Sequence, residues 1–153
     1  MKQEITNASE QQTESSTKEL GRRAILVMSD CGSTPALATI ISGYLASVGV
    51  RHGYISLDRT AEAVVDGFKR FGFDQHLELI DVWEPRDDVT SSRLQELVTV
   101  RKWEAVLIDN VNMLTKLRDV DYSDIRLILD KTARIAGVPI FCIANKTRKV
   151  EIE

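Results

Sequence analysis

The sequence predicts an α/β domain, a three-layer, doubly wound and mostly parallel sheet of about five strands. Three observations predict it. Short, continuous apolar runs with β-branched members recur along the chain, as in strands covered on both faces. Segments with apolar residues at helical spacing lie between them. The junctions carry the Gly, Pro, Ser, Thr and Asp that turns and helix caps require.

The elements follow in order. Ala24-Ile25-Leu26-Val27-Met28 reads as the first strand. Leu37, Ile40, Ile41, Tyr44, Leu45 and Val48 recur at helical spacing, and Gly49 is placed to end that helix. Tyr54-Ile55-Ser56-Leu57 is a second strand. Thr60 is placed to cap a helix with the apolar face Ala61, Val64, Val65, Phe68 and Phe71, closed by Gly72. Leu77-Glu78-Leu79-Ile80-Asp81-Val82 is the third strand. A short helix carrying Leu94, Leu97 and Val98 follows the Thr90-Ser91-Ser92 cluster. Ala105-Val106-Leu107-Ile108 is the fourth strand. Ile125, Ile128, Leu129, Thr132 and Ile135 form the last helical face, ended by Gly137 and Pro139, and Pro139–Ala144 is the fifth strand.

The chain has 153 residues, within the ~100–200 expected of one domain. A domain of that size buries enough surface to need neither disulfide nor metal. The domain is expected over residues 21–146. Residues 1–20 are too polar to repay their ordering entropy and read as a disordered tail. Residues 147–153 read as a short last strand or tail, with Lys146, Arg148 and Lys149 as a solvated basic cluster. No apolar leader opens the chain, and no run approaches the ~18 residues of a membrane span, so a cytoplasmic protein is expected. The net charge of −3 gives no broad basic face for nucleic acid. Cys31 and Cys142 form no paired motif and read as reduced thiols. His52 and His76 read as surface turn residues, and Trp83 and Trp103 as structural.

Ligands on doubly wound sheets bind at the carboxyl ends of the strands. The expected ends are Ser29-Asp30-Cys31-Gly32-Ser33-Thr34-Pro35, Asp58-Arg59, Asp81 with Trp83-Glu84-Pro85, Asp109-Asn110, and Asn145-Lys146. The first of these has one glycine and no lysine, and Pro35 removes a backbone donor. A phosphate-cradling loop needs glycines for close backbone approach, a lysine for the outer phosphates and a hydroxyl for Mg²⁺. Asp109, closing a buried strand, resembles the acid that organises Mg²⁺ in P-loop enzymes. Polar junctions of this kind also serve simply as helix caps.

Residues 22–145 resemble the RecA-like ATPase domains of the KaiC family, including its archaeal branch with the archaellum accessory ATPase. Five landmarks carry the resemblance. They are the strand and turn Ile25–Ser33 leading to Gly43-Tyr44-Leu45, the strand Gly53-Tyr54-Ile55-Ser56-Leu57-Asp58, the turn Phe71-Gly72-Phe73-Asp74, the strand ending at Asp109, and Ile143-Ala144-Asn145. The resemblance implies a RecA-like P-loop core that takes ATP or ADP with Mg²⁺. A nucleotide would lie against Ser29, Asp30, Cys31, Gly32, Ser33, Thr34, Asp109 and Asn145, with Thr34 and Asp109 on the metal. It also implies assembly with further copies or with an active KaiC-like paralogue.

The departures point away from hydrolysis. The phosphate-clamping lysine is absent under either alignment of the loop, one of which puts Thr34 on the hydroxyl position and the other Pro35 on the lysine. The family's paired acids after the second strand are here Asp58-Arg59, so Asp58 is the remaining catalytic candidate. Phosphoryl transfer relies on such charges. The expectation is a non-hydrolytic regulatory or scaffold subunit with weak or no nucleotide binding. Two other readings stand beside it. An unorthodox ATPase would polarise water with Asp58, hold Mg²⁺ with Asp109 and borrow charge from Lys146 or a neighbouring subunit. A receiver-like signalling domain would use Asp30, Asp81 as phosphoacceptor, and Lys146.

Overall fold

A computed structural model of the chain describes residues 22–29, 34–85, 90–111, 113 and 122–145. The tail calls at 1–20 and 147–153, together with Asp30, Cys31, Gly32, Ser33 and Lys146, lie outside the described residues.

The sheet has five strands, β1 (Ala24–Ser29), β2 (His52–Ser56), β3 (Ile80–Trp83), β4 (Ala105–Asp109) and β5 (Ile140–Asn145). All pairings are parallel and the order is β1-β5-β4-β2-β3. The helices are α1 (Thr34–Ser47), α2 (Ala61–Arg70), α3 (Ser91–Arg101) and α4 (Tyr122–Ala136). Going from β1 to β2 to β3 the chain steps one way across the sheet, and from β3 to β4 to β5 it steps back. Right-handed crossovers then put α1 and α2 on one face, α3 and α4 on the other.

Strand alternation matches this division. Tyr54, Leu107 and Ile143 pack with Ala38, Ala46, Val64 and Phe68. Their neighbours Ile55, Val106, Ile108 and Cys142 pack with Leu94, Leu97, Ile125 and Leu129. Cys142 is buried, and burial pushes its thiol up to about 12.

The chain departs from the sequence expectations where small residues set the packing distance. On α1 the buried positions are Ala38, Thr39, Ser42, Gly43 and Ala46, whereas Ile40, Tyr44 and Val48 are exposed. A Cβ on Gly43 would lie 2.3 Å from the Phe73 ring. The helix therefore lies too close to its neighbours for its large apolar residues to face inward. On α4, Ile125, Leu129, Thr132 and Ala133 are buried, while Ile128 and Ile135 are exposed.

The expected third strand is shorter at its start. Asp74–Leu79 is a 3-10 turn that tucks Leu77 and Leu79 against the core, and the strand begins at Ile80. The turn is set up by a Schellman close of α2. Gly72, at φ +79°, donates to Lys69 O and Phe73 donates to Phe68 O. Phe73 is thereby delivered onto Gly43.

His52 corrects the expectation of a surface residue. It is fully buried in β2, pairing Nε2 with Ser42 Oγ at 2.5 Å and Nδ1 with Val50 O at 3.0 Å. With Nδ1 protonated, Nε2 accepts from the serine. Burial pushes its pKa below the ordinary imidazole value, against the Val50 hydrogen bond.

Candidate functional site

The sheet has a topological switch point between β4 and β2. The chain leaving β2 turns to one face and the chain leaving β4 to the other, opening a crevice at their carboxyl ends. The register sets Ser56 beside Asp109 there, and Leu57 N–H donates to Asp109 O at 2.8 Å.

Local chemistry places an arginine in the same spot. Ser56 Oγ donates to Arg59 O at 2.6 Å and accepts from Arg59 N at 3.2 Å, closing a tight turn. Thr60 Oγ1 then caps α2 by accepting from Ala63 N at 3.1 Å. Arg59 is held between the turn and the cap, and its guanidinium reaches back over the strand ends.

Tyr54, Arg59 and Asp109 converge on one carboxylate oxygen. Tyr54 OH donates to Asp109 Oδ2 at 2.5 Å. Arg59 Nη2 donates to the same oxygen at 2.7 Å and to Tyr54 OH at 2.6 Å. Asp109 is 1% exposed and Tyr54 is fully buried. The Tyr54 ring is fixed edge-on against Phe68 at 5.8 Å. The Asp109–Asn110 peptide is cis.

The electrostatics are those of a buried, tightly paired cluster. Burial pushes the Asp109 carboxyl above its ordinary range, opposed by the Tyr54 and Arg59 contacts and reinforced by nearby Asp58. Burial and then the Asp109 charge raise the Tyr54 phenol. Burial works against the Arg59 charge, but Tyr54 and Asp109 outweigh it and the guanidinium is held more firmly protonated. Arg59 is therefore the cation of this cluster at any ordinary pH.

The arrangement does not fit Mg²⁺. The oxygen of Asp109 that faces the cluster already takes two donors, and one carries the positive charge a metal would supply. No group of three or more His, Cys, Asp or Glu suited to a metal occurs among the described residues.

The other expected site residues fall around this centre. Asp58 is exposed on the turn. Ser29 and Asn145 end the adjacent strands β1 and β5, in register with each other. Thr34 is the first residue of α1, and its side chain lies outside the described ones.

Asp81 is elsewhere. It is the second residue of β3, paired with Gly53 toward the amino end of the sheet. Arg101 Nη1 contacts both of its oxygens at 2.9 Å, and Trp103 Nε1 donates at 2.9 Å. Trp83 lies under the Arg93 guanidinium, 5.7 Å from the ring centre. Both tryptophans serve packing.

Sequence reading placed Asp109 and noted the arginine after Asp58, but missed Tyr54 as a member of the site. The available signal was a tyrosine inside an apolar strand, whose hydroxyl needs a partner once buried. No described helix is long and apolar enough to cross a membrane. Comparison with protein-family models and with curated proteins finds no match.

Proposed function

We propose that this chain is a degenerate RecA/KaiC-like domain that does not hydrolyse nucleotide and acts as a regulatory or scaffold subunit. It works through contact with further copies or an active KaiC-like paralogue, and binds ATP or ADP weakly or not at all. One observation carries the reading. Where the resemblance implies a second acid and a metal, Arg59 pairs with Asp109 and Tyr54 at the switch point. A tethered guanidinium in contact with the carboxylate leaves neither a metal ligand nor a base there. The parallel sheet, the acid closing β4 and the Phe71–Asp74 turn support the RecA-like part.

The receiver reading loses support, because Asp81 is tied to Arg101 and Trp103 at the other end of the sheet. The unorthodox ATPase loses its Mg²⁺ ligand to Arg59.

The test is phosphate release from Mg-ATP by the purified chain, with a fluorescent ATP titration in the presence and absence of Mg²⁺. The expected outcome is no release above a blank and an affinity of millimolar or weaker that Mg²⁺ does not change. Turnover abolished by Asp109→Ala refutes the reading, as does tight, Mg²⁺-dependent binding.

A further inference from the structure

A second feature lies on the α1–α2 face beside the cluster. A cleft of about 450 Å³ opens between the first turn of α1 and the side of α2. Small side chains make the room, with Pro35 and Ala36 on one wall and Ala63 and Gly67 on the other. Thr39, also on the wall, spends its hydroxyl on Pro35 O at 2.8 Å. The charged lining consists of Arg59, Arg70 and a single acid, Asp66. The amino end of α1 adds the positive pole of its dipole.

Arg59 supplies the decisive detail. Its Nη2 is committed to Tyr54 and Asp109, but its Nε is buried without a hydrogen-bond partner. A buried donor left unpaired costs about 1–3 kcal/mol, and in native proteins such a group marks an acceptor not yet accounted for. The walls around it offer apolar surface and a second guanidinium.

We propose that this cleft is a binding site for a small oxyanion, a phosphoryl or carboxylate group on a compact molecule. One oxygen accepts from Arg59 Nε and the others face Arg70. Planar guanidinium groups match oxyanions bidentately, and the cleft admits a metabolite-sized body. The ligand needs no metal, because the charge is supplied by arginine. The site stands whether or not the chain is RecA-like, since it takes its walls and second cation from α2.

The experiment is an NMR titration of the full chain with inorganic phosphate and, separately, with succinate. Ionic strength is held constant with chloride, and EDTA is present. Saturable shifts are expected at Ala36, Ala63, Gly67 and Arg59 with at least one of the two, and the responding arm identifies the source chemistry. Arg70 is exposed, so Arg70→Gln is expected to stay folded and to weaken binding by about tenfold, the loss of one charge-assisted contact. Gly67→Leu, which fills the cleft, is expected to abolish the shifts while the far-UV spectrum stays native. Non-saturating shifts with both anions overturn the proposal. So does saturable binding that Arg70→Gln leaves unchanged, or shifts centred away from the cleft.

Discussion

Replacing Arg59 with alanine tests the central cluster most directly. The substitution leaves Asp109, 1% exposed, with a buried carboxylate whose only printed side-chain donor is Tyr54 OH. Breaking a buried ion pair by removing one partner costs about 3–5 kcal/mol. Arg59 is itself 21% exposed, so water can enter the vacated space, and the expected loss is about 2–3 kcal/mol. For a domain of this size that lowers Tm by roughly 4–12 °C.

The loss should depend on pH. Burial already raises the Asp109 carboxyl, and removing the guanidinium raises it further. An acid whose folded pKa lies above its unfolded value stabilises the fold fully below the unfolded value, about 3.9 for Asp. That contribution is lost as pH rises through the folded pKa. The deficit of Arg59→Ala relative to the parent should therefore be small in mild acid and grow toward neutrality. Urea unfolding across that range measures it. Arg59→Ala with Asp109→Asn should recover much of the loss at neutral pH, because no charge is left buried and the amide oxygen still accepts from Tyr54. A deficit that does not change with pH, or a double variant no more stable than the single one, refutes the reasoning.

Two further predictions concern β2. Gly53→Ala would place a Cβ 2.5 Å from the Trp103 ring, which is pinned by its bond to Asp81. Overpacking of this kind costs about 1–3 kcal/mol; thermal unfolding measures it, and Trp103→Leu in the same chain should lessen the penalty. His52 is held neutral by burial, so its NMR titration midpoint should lie below ~6.5. Stability from this group is present above that unfolded value and is lost as pH falls through the lower folded one. A midpoint at or above the ordinary value contradicts the buried, neutral assignment.

What the sequence made legible follows from the range of the interactions involved. The strands β4 and β5 were readable because both of their faces are covered, so each is a plain apolar run. The inward face of α1 was not, because periodicity counts large apolar residues while this helix is seated by Ala38, Gly43 and Ala46. Those residues mean something only when Phe73 is known to press on Gly43. His52 was misread for a similar reason. Its partner Ser42 sits on the preceding helix, and a turn-flanking histidine carries no local sign of it. At the site, Asp109 was visible as an acid after an apolar run. Its pairing with Tyr54 and Arg59 depends on the parallel register of β2 and β4 and on the Ser56 turn, neither of which one segment encodes alone.

The strand order also fixes when the sheet can be completed. β2, β3 and β4 are consecutive in the chain and adjacent in space, so they can assemble from nearby segments. β1 has a single ladder partner, β5, at the far end of the described sequence. During synthesis Ala24–Ser29 leaves the ribosome first among the strands and waits longest for its neighbour. It is an uncharged edge with Leu26 and Met28 exposed even after folding, the kind of segment that pairs with the wrong chain when left open. Truncation before Ile140, or slow emergence of the last strand, should therefore show up first as insolubility.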